Sequence, residues 1–209
     1  MKKIINNTTF FILLMIILFS INCASSSKEI RVKPYCEKTN IFTEIKKTDK
    51  IEKDFAGLIL KASLKTHLKN TYLFSILGLS HHGNPSYQFL LNIDGKAVLW
   101  DAKGKIEDTS DVKIFEDGFE RLAPEAGRGM KYMLEKRISL KAGSHNIFLS
   151  IPEENNKIEF TVTLNSGSTN FLELKPVYRY KKSHHTRSYL QGIKYYTVFL
   201  NGNSIAPKP

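Results

Sequence analysis

The stretch KIEFTVTLN, residues 157–165, alternates apolar and polar side chains without a break. Apolar residues stand at every second position, with glutamate or threonine between them. Successive side chains of an extended chain point to opposite faces, so a period of two predicts a strand with one buried face. The predicted inward residues are Ile158, Phe160, Val162 and Leu164.

A second strand is predicted by GLILKASLKT, residues 57–66, which has the same period. Leucine and alanine occupy the predicted inward positions. The pattern therefore indicates a sheet with one core-facing side. The positions predicted to face solvent are Lys61, Ser63 and Lys65.

Turn sequences link such runs into three predicted hairpins. Asp94-Gly95 lies between two apolar runs and has the chemistry of a type I′ turn, in which both central residues take a positive φ. Residues 152–157 close the second predicted hairpin, and Ser166-Gly167 closes the third. About seven to nine short strands with frequent Gly, Pro and Asn predict an all-β fold, either an antiparallel β-sandwich or a flattened barrel.

One long insertion, residues 101–131, separates the Asp94-Gly95 hairpin from the next predicted strand. Phe115, Phe119 and Leu122 stand at helical spacing in it, which predicts a short helix. Loops of this length in a compact domain are often lids or binding loops. An excursion that covers one sheet explains the insertion equally well.

The start of the chain has the pattern of an export signal. Lys2 and Lys3 precede the apolar run FFILLMIILF, residues 10–19. A run of about ten residues suits the apolar region of a signal peptide and is shorter than the ~20 residues of a spanning helix. We therefore predict a signal peptide over 1–22, with a retained signal anchor as the alternative. Its removal lowers the net charge from +11 to +9.

Cys23 follows this run and precedes four small residues, ASSS. The arrangement resembles the lipobox of bacterial lipoproteins, in a relaxed form because Ser20 and Asn22 replace the usual aliphatic and small residues. The resemblance implies a lipid such as palmitate on the Cys23 sulfur and a lipid-anchored place in the outer membrane or periplasm, or at the cell surface. The alternatives are cleavage after ASS, which discards Cys23, and a disulfide with Cys36.

The remaining chain divides into three predicted segments. Residues 23–54 are rich in serine and then lysine, with little apolar periodicity, and predict a lipid-anchored tether. The β-sandwich domain is predicted over 55–201, and a C-terminal tail over 202–209. If Cys23 is acylated, Cys36 is expected to be buried and inert, with an intermolecular bond as the alternative. The absence of Cys-x-x-Cys and Cys/His metal spacing argues against a redox or zinc site.

The most distinctive local composition is YRYKKSHHTRSY, residues 178–189, in which cations alternate with tyrosines. Such a mixture holds phosphate or sulfate groups by charge and sugar rings by stacking. Export argues against nucleic acid as the ligand. The alternative is an exposed loop whose lysines deter edge-to-edge aggregation. The predicted anion-binding residues are Tyr178, Arg179, Tyr180, Lys181, Lys182 and Arg187.

Other candidate groups point to no catalytic or cofactor site. The pairs His81-His82 and His184-His185 lie in loop-like sequence, and no carboxylate stands at a spacing that completes a metal site. Gly78 to Gly83 departs from a nucleophile elbow because His82 stands where glycine is required. Glu153-Glu154 is expected to be solvated in a hairpin turn. We predict no catalytic residue, metal or cofactor.

ISLKAGSHNIFLSI, residues 138–151, and the Asp94-Gly95 hairpin resemble the repeated pattern of PEGA-type exported β-domains. The resemblance implies an envelope interaction module without catalytic residues. We therefore expect a lipid-anchored protein whose β-domain binds a protein partner or an anionic envelope component. The alternative is an exported enzyme that acts on envelope polysaccharide or peptidoglycan, with 101–131 as its lid.

Overall fold

The period-two stretches form the strands that they predict. In the computed structural model, which describes residues 41–69, 71, 80–109, 113–116, 118–181 and 186–208, KIEFTVTLN lies in strand β9 and GLILKASLKT in strand β2. Strands make up 66% of the structure, which confirms the all-β prediction. All these residues belong to one unit, Tyr35–Pro209.

Fourteen strands are present in the described residues. They are β1 (Phe42–Glu44), β2 (Phe55–Thr66), β3 (Ser86–Ile93), β4 (Lys96–Asp108), β5 (Lys113–Glu116), β6 (Phe119–Leu122), β7 (Arg128–Lys141), β8 (Gly143–Ile151), β9 (Asn156–Leu164), β10 (Thr169–Tyr178), β11 (Tyr180–Lys181), β12 (Thr186–Arg187), β13 (Ile193–Leu200) and β14 (Asn203–Ile205). Short 3-10 turns follow β8 at Pro152–Glu154 and precede β13 at Tyr189–Gln191.

One large sheet curves into a flattened, nearly closed barrel. Its strand order is β14-β13-β10-β2-β7-β4-β3-β8-β9, and β1 pairs with β7. The free edges approach each other: the Lys208 backbone N–H donates to the Glu159 carbonyl of β9 at 2.7 Å, and the Asn156 amide donates to the Lys194 carbonyl at 3.2 Å. Closure shields edges that would otherwise pair with other chains.

The predicted hairpins have mixed outcomes. Asp94 and Gly95 have φ values of 50° and 99° and join β3 to β4, as predicted, and β8 and β9 form the second hairpin. The third is wrong: β10 does not pair with β9 but runs parallel to β2 and antiparallel to β13. The sheet is therefore mixed, and the chain crosses the barrel after Ser166-Gly167.

The helix predicted in the insertion 101–131 is also wrong. Lys113–Glu116 and Phe119–Leu122 are strands β5 and β6, which pair with each other in a separate two-stranded sheet. Phe115 and Phe119 stand four residues apart because they lie on opposite limbs of this hairpin. The rest of the insertion extends β4 and begins β7, which pair with each other.

The domain begins before residue 55 and ends after residue 201, the bounds predicted from the sequence. Phe42 is buried, and β1 pairs with Ile138 to Leu140 of β7, so the end of the predicted tether is part of the barrel. β14 pairs with Val198 to Leu200 of β13, so the predicted tail begins with a sheet strand. The described domain therefore covers residues 41–208.

The barrel has two chemically different ends. One end, which we call the loop end, is where four strands end and three begin. The strands that end there are β2, β4, β8 and β10, and those that begin there are β3, β7 and β13. The first strand, β1, meets β7 at the opposite end, next to the Asp94-Gly95 turn. Apolar side chains fill the barrel between them, with Tyr87, Phe89, Phe160 and Leu60 among the fully buried ones.

Candidate functional site at the loop end

A buried carboxylate organises one side of the loop end. Glu154, in the 3-10 turn after β8, has a side chain only 7% exposed. His82 Nε2 lies 2.9 Å from its Oε1, and the Tyr87 hydroxyl donates to the same oxygen at 3.0 Å. The Ile193 backbone N–H also hydrogen-bonds the carboxylate. Glu154 thus ties the loop before β3 to strands β3, β8 and β13. The expectation that this residue is solvated is wrong.

His82 is held in place by its neighbours. Gly83 has a φ of 75°, and a Cβ there would lie 2.0 Å from the Lys69 backbone nitrogen, so only glycine lets the two segments approach this closely. The His67 ring packs against the His82 ring at a tilt of 59°, with 4.4 Å between ring centres. Its Nδ1 lies 2.9 Å from the Leu68 carbonyl oxygen, which places a proton on that nitrogen.

Burial sets the ionisation of this cluster. Although desolvation raises the pKa of Glu154, hydrogen bonds from His82 and Tyr87 and the charge of His82 outweigh it and hold the pKa below its usual value. Desolvation lowers the pKa of His67 and raises the pKa of Tyr132 to about 12. The pKa of Tyr87 is raised by burial and by Glu154. At neutral pH the described cluster therefore holds an ionised Glu154 among neutral tyrosines.

Two buried polar atoms of this cluster have no hydrogen-bond partner in the described structure, namely His82 Nδ1 and Glu153 Oε2. The other oxygen of Glu153 accepts the Gln88 backbone N–H at 3.2 Å. Within the described ranges, however, no group of three or more His, Cys, Asp or Glu side chains is placed to hold a metal ion.

A buried cation organises the other side of the loop end. The Lys65 side chain is 0% exposed, and its Nζ donates to Thr109 Oγ1 at 3.0 Å and to the carbonyls of Glu125 and Gly127 at 2.8 and 2.7 Å. Glu107 Oε1 lies 3.6 Å away, and the Tyr189 ring centre lies at 5.1 Å. Desolvation lowers the pKa of Lys65, and the carboxylates oppose this shift.

The prediction that Lys65 faces solvent is wrong, although the alternation along β2 is kept. Leu64 points into the barrel, and Lys65 therefore points outward. The outer face is covered there by Glu107, Thr109 and residues 125–127, so the ammonium group meets backbone carbonyls instead of water. The insertion is thus, at its base, an excursion that covers one part of the sheet.

Tyr178 connects the insertion to the predicted anion-binding segment. Its hydroxyl accepts the Lys65 backbone N–H at 2.8 Å and donates to Glu125 Oε1 at 2.6 Å. The second oxygen of Glu125 forms a short ion pair with Lys131. Tyr178 is buried, so its ring belongs to the core. The prediction that this ring offers a surface for ligands is therefore wrong.

The other predicted anion-binding residues that the structure describes lie at the loop end. Arg179, Tyr180 and Arg187 are exposed, and Tyr180 pairs with Arg187 in the β11–β12 ribbon. Lys181 lies in the same ribbon opposite Thr186. Lys182, His184, His185, Cys23 and Cys36 lie outside the described residues, as does the signal peptide 1–22. His81 is exposed.

Sequence reasoning missed Lys65, Glu125 and Glu154, which hold the loop end together. Glu154 gave one signal, since it lies in the short turn between two predicted strands, but a carboxylate in a turn is usually solvated. Lys65 gave none, because a lysine on the polar face of a strand is the commonest exposed pattern. Partners more than forty residues away bury these groups.

The site is therefore the polar end of an all-β barrel, with the hydrogen-bonded, buried Lys65 and Glu154 and with exposed cations and an exposed tyrosine. Comparison of the chain with protein-family models, with curated proteins and with solved structures finds no match. No helix in the described residues is long and apolar enough to cross a membrane.

Proposed function

We propose that the chain is a lipid-anchored protein of a bacterial envelope whose barrel binds an anionic envelope component or an acidic partner at its loop end. One observation carries the proposal: the exposed Arg179, Tyr180 and Arg187 lie at the end of the barrel opposite to β1, where the described chain begins. A tether that joins the barrel at β1 would leave the loop end facing away from the membrane.

The anchor in this proposal is Cys23, on the strength of its lipobox-like setting after an apolar run. The segment between Cys23 and β1 is polar and rich in serine and lysine, which suits a spacer. A single acyl chain holds a protein only weakly, so stable anchoring would use the multiple chains that bacterial lipoproteins carry or an added basic attraction to anionic head groups. The net charge of +9 without residues 1–22 would supply such an attraction.

Binding has more support than catalysis because the buried acids and bases of the loop end engage one another. Glu154 receives three hydrogen bonds, and the Lys65 ammonium uses its three N–H groups on three acceptors. A general acid or base must reach a substrate proton. The exposed cations and rings around them are instead suited to hold an anionic polymer.

The proposal is tested by titrating the protein, purified from membranes, with heparin and with neutral dextran of similar length. We expect salt-sensitive binding of heparin and none of dextran, because exposed charges are screened at high ionic strength. Replacing Arg179 and Arg187 by alanine should weaken heparin binding by about tenfold or more, which corresponds to about 1.4 kcal/mol. The matched control is the alanine variant of Lys61 and Lys175, two exposed lysines of the barrel wall. If both variants lose the same heparin affinity, net charge alone explains the binding, and the proposed site at Arg179 and Arg187 is contradicted.

A further inference from the structure

The β5–β6 hairpin, which we call the arm, exposes large apolar side chains. Phe115 is 78% exposed, Phe119 67% and Leu122 55%. The register places Phe115 and Leu122 on one face and Phe119 on the other, because residues that pair directly share a face. Large apolar side chains exposed on both faces of one short hairpin indicate an interaction surface.

The described contacts between the arm and the barrel lie at the base of the arm. β5 and β6 pair with each other and with no other described strand, so both outer edges of the arm offer backbone groups for further pairing. The base, in contrast, is fixed: Lys65 binds the Glu125 and Gly127 carbonyls, and Tyr189 N–H donates to the Pro124 carbonyl at 2.9 Å. The arm is therefore a projection whose base is hydrogen-bonded to the barrel.

The arm and the five residues before it carry a charge opposite to that of the segment beside its base. Residues 108–122 contain five acids and two bases, a net charge of −3, of which the arm itself, residues 113–122, contributes −1. Residues 178–187 contain four bases and no acid. The two segments are rooted together, since Tyr178 donates to Glu125 and Tyr189 contacts Pro124. One chain thus presents an acidic, apolar arm next to a basic, aromatic ribbon.

An anionic membrane is a poor partner for an acidic arm, whereas the basic ribbon complements it in both charge and aromatic character. We propose that the arm of one copy docks on the β11–β12 ribbon, with Arg179, Tyr180 and Arg187, of a second copy. Because the bases of the arm and the ribbon are adjacent on each chain, a two-fold axis lets both copies exchange arms in one isologous interface. The inference goes beyond the proposed function, but the arm and an anionic polymer compete for the same ribbon.

The interface is tested on the full-length chain, exported in a bacterial host with benzoylphenylalanine in place of Phe119. Irradiation should give a product of twice the chain mass whose cross-linked peptide contains residues 178–189. A product with lipid, or a dimer cross-linked at another surface, overturns the proposal. The aromatic replacement keeps the apolar character of the arm tip.

Charge exchange tests the same contact quantitatively by light scattering of the full-length protein, purified in detergent. Glu120→Lys and Arg187→Glu should each weaken dimerisation by about tenfold or more, and the double variant should return to within about threefold of wild type. Glu135→Lys is the matched control, because it breaks an exposed cross-strand pair with Lys61, as Glu120→Lys breaks the pair with Lys113. Unchanged thermal midpoints establish that the variants fold.

Three results would overturn the inference: a monomer at about 100 µM and low salt, an equal loss in the Glu135→Lys control, or no recovery in the double variant. Heparin binding separates this inference from the proposed function. Glu120→Lys leaves the ribbon intact, so it should lose the dimer and keep heparin binding. A monomeric wild-type protein that still binds heparin at Arg179 and Arg187 refutes the dimer alone.

Discussion

Replacing Lys65 by methionine should destabilise the barrel far more than the same change at Lys61. Both lysines lie on β2 and point to its outer face, four residues apart. Lys65 is fully buried under Thr109 and residues 125–127, whereas the Lys61 side chain is 49% exposed and pairs with Glu135 at 3.3 Å. Methionine keeps the length of the apolar stem and removes only the ammonium group, so the comparison isolates the charge.

The magnitude follows from the acceptors that Lys65 leaves behind. Removing one partner of a buried ion cluster costs about 3–5 kcal/mol, since the remaining groups stay desolvated. The Glu125 and Gly127 carbonyls each lose one donor and keep the one from Thr109, while Glu107, with a side chain 38% exposed, regains water. This partial hydration places the expected loss at about 3 kcal/mol for Lys65→Met. An exposed pair contributes little, so Lys61→Met should change stability by less than about 0.5 kcal/mol.

Equilibrium urea unfolding measures the difference, with the fluorescence of Trp100, the single tryptophan of the chain, as the signal. For a slope of about 2 kcal/mol per molar urea, a loss of about 3 kcal/mol lowers the midpoint by about 1.5 M. Exchange of the Thr109 and Gly127 amide hydrogens, which bond to each other's carbonyls, should accelerate as well. If the two methionine variants have the same midpoint, Lys65 does not clamp the base of the arm and the reasoning is refuted.

Three further predictions concern the Glu154 cluster. Glu154→Gln removes the negative charge of the carboxylate that His82 and Tyr87 hydrogen-bond. It should lower the free energy of unfolding by about 2 kcal/mol in the same urea assay, and an unchanged midpoint would contradict an ionised Glu154. Gly83→Ala places a methyl group 2.0 Å from a backbone nitrogen at a positive φ and should cost about 3 kcal/mol or prevent folding, as judged by circular dichroism. Because burial lowers the pKa of His67 below its ordinary 6.5, protonation favours the unfolded chain, and stability is lost as pH falls through 6.5. The wild type should therefore have a higher free energy of unfolding than His67→Gln at about pH 7.5, and this difference should shrink as the pH falls to about 5.5. A difference that stays constant over this range would contradict a lowered pKa of His67.

Features set by neighbouring residues were predictable from sequence. Strands β2 and β9 follow from their alternation, and the Asp94-Gly95 turn follows from the positive φ that only a few residues adopt without strain. These signals lie within about ten residues, so no distant partner is needed to interpret them. They were sufficient to predict an all-β domain.

Features set by distant partners were not predictable. Ser166-Gly167 has the composition of a hairpin turn, yet β10 pairs with β2, more than one hundred residues away. Phe115, Phe119 and Leu122 have helical spacing, but the turn between β5 and β6 produces the same intervals. Lys65 lies on the polar face of its strand, as the pattern requires, and is buried by another segment. Local patterns fix which face a residue occupies and leave open what covers that face.

The account depends most on the lipid anchor, since display of the loop end away from a membrane requires attachment before β1. The direct measurement is labelling with radioactive palmitate in a bacterial host, with the full-length wild type beside Cys23→Ala, followed by separation of membrane and soluble fractions. We predict that wild type takes up label and sediments with membranes, whereas Cys23→Ala takes up none. A wild-type protein that is unlabelled and entirely soluble would contradict the anchored account.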